Sequence, residues 1–402
     1  MKSSFIWHDK RSLNYLLSLF IFSLGSFIIN PYYAIYVSDN LGYGVAFAGV
    51  LVSIKVISQR VFALFGGSMA DIFPAVYAAL AGVGVRALSF ALLALNANHE
   101  ILLVSAVMNG IGGALFNPAI RKLLFTRYKE DDVKLKQVIA WRNAAFNLGA
   151  AIGPLIGVYL INLDFKGACV AITLIHIVVG LMLSGAKQAY QLRPTESGRR
   201  SLIVELLASL FNPALFPVFA LQFFFMYFYS HIEYLLPIFI THQYSEYFVS
   251  VVFFVNTLFV IFAQTVFSRI FNELRAGIAW GAMVLFFISL AILSIFPGAN
   301  PMIYGLLIVL GVIAFSTGEV ILSIQVDYIA THVGGHLNSG TIFGAISLVA
   351  AGGLFAANAI NSVILEYFDF AVVWLVNSLI AAGLGGFSLY RYYLSRTLAY
   401  SR

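Results

Sequence analysis

The sequence predicts an all-α transmembrane protein of about twelve spanning helices in two six-helix halves, with both termini in the cytoplasm. Three observations carry this. Of the 402 residues, 61% are hydrophobic and only 10% are charged, whereas an ordinary globular domain carries about 25% charged residues. Apolar runs of about 20 residues, each long enough to cross a bilayer, recur from one end of the chain to the other. The cations gather in alternate connections between those runs, as they do in a chain that crosses a membrane repeatedly. The spans are expected to be helices, because a helix satisfies its own backbone hydrogen bonds where no water can. The short alternating segments of a transmembrane barrel are not found in the sequence.

In order, the spans lie at 13–37, 46–65, 76–96, 100–124, 137–161, 167–186, 213–240, 247–270, 277–296, 302–326, 339–363 and 370–394. Lys2, Lys10 and Arg11 precede the first. Arg121, Lys122, Arg127, Lys129, Lys134 and Lys136 surround the connection between the fourth and fifth. Lys187, Arg193, Arg199 and Arg200 follow the sixth, Arg269 and Arg275 lie between the eighth and ninth, and Arg391, Arg396 and Arg402 follow the last. All of these fall on one side. The other side keeps Lys166, with Asp39, Glu100, Asp164, Glu246, Glu366 and Asp369. One span more or fewer would scatter the cations over both faces. The positive-inside rule then places both termini in the cytoplasm. The formal charge of +6 therefore reflects sidedness and does not point to nucleic acid.

The longest polar segment is "KQAYQLRPTESGRRS", Lys187 to Ser201, near the middle of the chain. It divides the sequence into an N-terminal six-helix half, 1–186, a cytoplasmic linker, 187–212, and a C-terminal six-helix half, 213–402. The lone Cys169 excludes an internal disulfide and sits in an apolar run, where inert packing is expected. The N-terminal basic cluster leads into a run too long for a signal-peptide core, so the first span is expected to stay in the mature protein. Neither a phosphate-cradling GxxxxGK loop nor a Cys/His metal spacing occurs. His332 and His336, in "THVGGHLNSG", read as part of a flexible connection. No cofactor is expected, and uphill transport would draw on an ion gradient.

Two motifs carry a family resemblance. In "RNAAFNLGAAIGPLIGVYL", Gly149, Gly153 and Gly157 recur every fourth residue. On a helix they form a smooth strip that lets a neighbouring backbone approach closely, and Pro154 removes one backbone hydrogen bond, which permits a bend. "GAAIGPLIG" resembles the GxxxGPxxGG signature in the fifth span of major facilitator superfamily antiporters, with Val158 in place of the last glycine. "GGSMAD", with Gly67 and Asp71, resembles the family's loop motif after the second span. The basic residues that usually continue it are replaced by Ile72, Phe73 and Pro74, and the family's fourth-span arginine has no counterpart in "VSAVMNGIGGALFNP". "NPYYAIYVSDNLG", "SQRVFALFGG" and "STGEVILSIQVDYIA" are similar to the drug–proton antiporter branch, including its multidrug and siderophore exporters. The resemblance implies the major facilitator fold, with spans one, four, seven and ten lining a cavity.

An ionisable side chain within a span costs a few kcal/mol on insertion scales, so each one needs a reason. Glu319 and Glu233 fall in spans ten and seven, which the resemblance places beside the cavity. A carboxyl group in a partly dry cavity can take up and release a proton, or bind a cationic substrate in its place. Glu319 is the first candidate, because its Gly318–Glu319 context matches the family, and Glu233 is the second. The alternative is that each pairs with an arginine and fixes helix packing. Lys55 and Arg142 either attract an anionic group in the cavity or act structurally, Lys55 by pairing with Asp39 or an acidic group across the halves and Arg142 by holding the end of span five to its half-bundle. Arg60 lies toward the cytoplasm and Arg86 lies mid-span, where a structural pair is expected. Asn30, Tyr33 and Tyr227 are the polar and aromatic candidates for the cavity wall, where rings suit an amphiphilic ligand; lipid-facing bulk is the other reading of such rings.

These features together imply a proton-coupled secondary transporter, functional as a monomer in a cell membrane, most simply the bacterial inner membrane. It would export an amphiphilic small molecule, drug-like or a siderophore, by alternating access. A proton-linked importer of a small metabolite is the alternative within the same fold. A non-transporting receptor or assembly protein is the remote one. No enzymatic constellation is found, and the expected partners are the substrate and membrane lipid, with no nucleic acid.

Overall fold

The computed structural model describes residues 9–72, 74–95, 97–128, 130–185, 207–270, 276–295, 300–333 and 339–400. Within them the chain forms twelve helices and no strand. Helix α1 spans Lys10–Ile35 and continues through a π turn, Tyr36–Asn40. It is followed by α2 (Gly44–Ile72), α3 (Ala75–Leu95), α4 (His99–Phe125), α5 (Asp132–Leu163) and α6 (Phe165–Ser184). Helix α7 has three parts: Phe216–Ser230, a π turn at His231–Leu235, and Leu236–Gln243. Then come α8 (Glu246–Ile270), α9 (Ala276–Ile295), α10 (Pro301–Val333), α11 (Ser339–Tyr367) and α12 (Phe370–Tyr400). Eleven of them are long and apolar enough to cross a bilayer, and in α9 a shorter apolar stretch, Gly281–Ser294, is found.

Polar residues fix where the helices begin. Asp9, Asn98, Asp131 and Asp164 each sit at an N-cap, and each side chain accepts from a backbone N–H of the first turn. These are the donors that a helix start leaves without an internal partner. Between α1 and α2, Gly42 and Gly44 adopt positive φ, which a residue without a Cβ reaches at little cost.

The observed helices overrun several expected spans, because a helix continues past the hydrocarbon until its sequence stops it. Helix α2 runs to Ile72, so "GGSMAD" forms the end of that helix, where a connection was expected; the first proline after it is Pro74. The side chains of residues 64–73, including Asp71, lie outside the described ones. Likewise α10 extends through His332, while His336 lies outside the described residues. Most of the expected linker, 186–206, is also outside them.

The chain divides into two compact units: one of Met1–Arg200 with Ile240–Phe254, the other of Ser201–Phe239 with Val255–Arg402. In the first unit, α1 packs most extensively against α5, α2 against α4, and α3 against α4 and α6. Phe22 of α1 stacks on Phe116 of α4, ring centroids 3.7 Å apart, and meets the edge of His176 of α6. Arg86 of α3 lies over the Phe22 ring at 4.9 Å and donates to Asn109 Oδ1 of α4 at 2.8 Å. A buried guanidinium thus draws α1, α3 and α4 together through a cation–π contact and an amide.

The α1–α5 contact depends on missing side chains. A methyl group at Gly149 would come within 2.7 Å of the Leu24 nitrogen, and one at Gly153 within 2.7 Å of Phe27 Cβ. One at Gly157 would overlap the carbonyl oxygen of Ile28. Beside this strip, the Pro154 carbonyl accepts from the Tyr32 hydroxyl at 3.0 Å and from the Ser250 hydroxyl at 3.2 Å. In the second unit α7 pairs with α11, and α9 with α10 and α12. Gly353 of α11 lies against the carbonyl oxygen of Phe223 in α7. In each unit, therefore, a glycine of the fifth helix sits on a backbone carbonyl of the first.

A polar latch closes one end of the first unit. Arg127 donates to both oxygens of Asp9, at 3.0 and 2.8 Å, and Tyr128 and Ser12 donate to Oδ2. Partial burial pushes the Asp9 carboxyl up, but the bonds from Tyr128, Arg127 and Ser12 outweigh it and hold the group well below the usual carboxylate range.

Two outcomes follow from these contacts. Gly157→Ala should destabilise the α1–α5 contact by about 1–3 kcal/mol, as overpacking does, and lower the thermal midpoint in detergent. Gly84→Ala, where a methyl meets nothing within 4 Å, should leave that midpoint unchanged. The Asp9 contribution is complete above its ordinary value of 3.8 and is lost as pH falls through the depressed folded value. Asp9→Asn should lower the thermal midpoint at neutral pH and narrow the gap to wild type on acidification, as read by unfolding scans across pH.

Candidate functional site

The polar interior of the second unit is organised around α7 and α10. A chain of hydrogen bonds begins at Tyr227, whose hydroxyl donates to Asn377 Oδ1 at 2.8 Å. Asn377 Nδ2 donates to Asn361 Oδ1 at 2.8 Å, and Asn361 Nδ2 meets His231 Nε2 at 3.1 Å. His231 Nδ1 lies 3.0 Å from the Phe228 carbonyl, which requires a proton on Nδ1 and leaves Nε2 as the acceptor. Ser230 donates to Asn358 Oδ1. All of these side chains are buried, so the chain joins α7 to α11 and α12 without help from solvent.

One turn on, the ordinary helix of α7 gives way to the π turn that carries Glu233. Such turns insert one residue into the helix and recur at functional positions. Glu319 lies on α10, and one turn before it Ser316 accepts from the Asn256 side chain of α8 at 2.7 Å. The Glu319 oxygen Oε2 is buried and has no hydrogen-bond partner. Both expected acids thus lie in the second unit.

The remaining candidates are distributed differently. In the first unit Lys55 Nζ donates to Asn30 Oδ1 at 2.7 Å, tying α2 to α1. Asp39, weighed as a partner for Lys55, instead meets His242 Nε2 at 3.2 Å. Arg142 donates to Asn143 at 3.0 Å and lies 5.7 Å from the Phe146 ring, while its Nε is buried without a partner. Tyr33 is buried, and its hydroxyl also has no partner. Tyr227 is engaged by Asn377, as described. Gly149, Gly153, Pro154 and Gly157 form the α1 contact, and Gly67 and Asp71 lie on the last turns of α2.

Several polar residues escape a reading of the sequence. Asn256, Asn358, Asn361 and Asn377 are isolated amides in apolar runs, uncharged and without a motif. Their common signal is that an amide inside a span needs a partner.

A bundle of membrane-length apolar helices with polar side chains joined across its interior is the architecture of a multi-pass membrane protein. The sequence profile described as the Major Facilitator Superfamily matches residues 15–358, and the chain belongs to that family of multi-pass membrane transporters. Among curated relatives, the multidrug resistance protein MdtH of Aeromonas hydrophila is 31% identical over 176 residues, which is 43% of each chain. The protein of that name in Yersinia enterocolitica is 33% identical over 156 residues, 38% of each. An MFS-type transporter of Mycobacterium tuberculosis is 31% identical over 151 residues, 38% of this chain and 35% of that one. The matched region thus spans less than half the length of each of these relatives.

The fold is also similar to solved structures. A POT family transporter in complex with 5-aminolevulinic acid superposes with a TM-score of 0.77 at 15% identity, covering 94% of both chains. A peptide transporter POT in complex with sulfate superposes with a TM-score of 0.77 at 17% identity, again covering 94% of both. At that identity the likeness concerns the fold.

Among the described residues no cluster of three or more potential metal ligands occurs. Replacing Asn361 by leucine should strand the His231 and Asn377 partners and cost about 1–3 kcal/mol, read as a lowered thermal midpoint in detergent. Asn30→Leu, which removes the acceptor that Lys55 meets at 2.7 Å, should lower it as well.

Proposed function

We propose that the protein is a proton-coupled secondary active transporter that exports an amphiphilic small molecule by alternating access. Its two halves would be 1–186 and 213–402, joined by the cytoplasmic linker 187–212, with both termini in the cytoplasm. The observation that carries the reading is the Glu319 carboxyl, buried at Oε2 and without a partner there. Several buried polar atoms lack a partner, but among those of the described residues this is the one on a carboxyl group, and a buried unpaired polar atom is costly. An open carboxyl oxygen can bind a proton or a cationic group, and the two would compete for it.

The multidrug names of the MdtH relatives support a broad, amphiphilic cargo. An acidic site favours a cationic amphiphile over an anionic siderophore, since Lys55 and Arg142 each have amide partners. Glu233 is assigned as the second proton group, and Asn30, Lys55, Arg142, Tyr33 and Tyr227 as candidates for cargo contact. The monomer is taken as the working unit, and the proton gradient takes the place of a cofactor. A membrane potential of 100 mV is worth about 2.3 kcal/mol per charge, which supports accumulation of roughly tens-fold.

The test is proton flux in proteoliposomes under an imposed pH gradient, with tetraphenylphosphonium added as the lipophilic cation. Wild-type protein should release protons on cation addition, and Glu319→Gln should respond like empty liposomes while keeping a wild-type thermal midpoint. Unchanged flux in the variant would remove Glu319 from the mechanism. Cells lacking the protein should accumulate more of the cation; lower accumulation would instead establish import.

A further inference from the structure

Trp374 of α12 is fully buried, and its indole Nε1 has no hydrogen-bond partner. A buried indole N–H usually finds an acceptor, and leaving it without one costs free energy. Its ring neighbours offer none: His231 lies at 6.0 Å between centroids and Phe239 at 5.5 Å, edge-on. The indole borders a cavity inside the second unit. Aliphatic side chains of α7, α9 and α10 make most of the wall, and His231, Ser289 and Trp374 bring the polar groups. Every lining residue is buried. His231 and Ile232 belong to the π turn of α7 and Leu236 follows it, so the cavity lies directly against that turn.

The lining decides what the cavity can hold. About 10 Å³ is open to the centre of a water-sized sphere, on the order of what one water molecule requires. None of the lining residues is a carboxylate. Both ring nitrogens of His231 are engaged, Nδ1 with the Phe228 carbonyl and Nε2 with the Asn361 amide, so a cation meets no free ligand on that ring. An anion would meet two donors at most, the indole N–H and the Ser289 hydroxyl. Purely apolar cavities stay empty, whereas polar ones of this size hold water that bonds to otherwise unsatisfied groups. Water fits both polar atoms: it accepts from Nε1, and it donates to Ser289 Oγ, whose lone pairs accept whichever way the hydroxyl turns.

We propose that this cavity is a binding site for a single water molecule, which accepts from Trp374 Nε1 and donates to Ser289 Oγ, linking α12 to α9 beside the π turn of α7. The site stands whatever cargo the protein carries. The chain from Tyr227 to His231 already bonds Asn377 of α12 to α7 and α11; the water adds α9. Two residues with no direct bond to each other thereby share one partner.

The test reads the indole itself. Full-length protein with ¹⁵N in its tryptophan indoles is reconstituted in liposomes, and magnetisation is transferred from water to the indole N–H groups by solid-state NMR. The Trp374 signal is the one lost in Trp374→Phe. A soluble paramagnetic chelate outside and inside the liposomes quenches transfer from bulk water and leaves that from a buried one. In wild type, the Trp374 N–H should receive magnetisation from water with the chelate present. In Ser289→Ala the water keeps one of its two polar partners, fewer than such a site needs, and the transfer should fall severalfold. No transfer to Trp374 in wild type means a dry cavity and overturns the proposal. Transfer of undiminished strength in Ser289→Ala overturns the bridge. Should Ser289→Ala fail to fold, the wild-type signal alone decides.

Discussion

A membrane interior offers no water to a polar group, and the structure is shaped by that constraint. Each backbone must close its own hydrogen bonds, which makes the elements helices. Each polar side chain within them must find a partner on a neighbouring helix. Most do: Lys55 meets Asn30, Arg86 meets Asn109, and Tyr227, Asn377, Asn361 and His231 complete one another in a chain. Some buried atoms depart from the rule, among them the Tyr33 hydroxyl, the Nε atoms of Arg86 and Arg142, and Oε2 of Glu319, the one carboxyl oxygen of the described residues in that group.

The same constraint explains the packing. Lipid tails are as apolar as leucine, so helices gain little from hiding apolar surface from each other; close van der Waals contact must supply the association. Glycines at 149, 153 and 157 let α5 approach the backbone of α1, and Gly353 does the same for α11 on α7. The Pro154 carbonyl, in a helix that the proline interrupts, takes up the Tyr32 and Ser250 hydroxyls. Small residues set the distance between helices, and hydroxyls and amides fix their register.

Much of the fold was legible in the sequence because hydropathy and charge sidedness act over whole spans. The run 13–37 and the helix Lys10–Asn40 differ only at their ends, since the termination of a helix depends on a few capping residues. The glycine strip was readable because its spacing equals a helical face. The end of α2 was not: Gly66 and Gly67 resemble a loop, yet no proline intervenes before Pro74, and the helix continues to Ile72. The acids at 233 and 319 were conspicuous as charges in apolar runs. Their amide neighbours were not, because one asparagine barely changes the hydropathy of a span and carries no motif. The π turn under Glu233 left no sequence signal at all. The partner of Lys55 was equally hidden, since choosing Asn30 over Asp39 requires knowing which side chains face each other.

If Glu319 is kept for exchange, the fold carries it at a cost to stability, as working groups commonly are. If it is a packing element, the fold needs it. These alternatives differ in one measurement: the thermal midpoint of Glu319→Leu against wild type in the same detergent at neutral pH. The account predicts an equal or higher midpoint, because an apolar side chain of similar size removes an unpaired buried oxygen. A midpoint lower by more than about 4 °C, on the order of 1 kcal/mol or more, would contradict it and return the acid to a structural role.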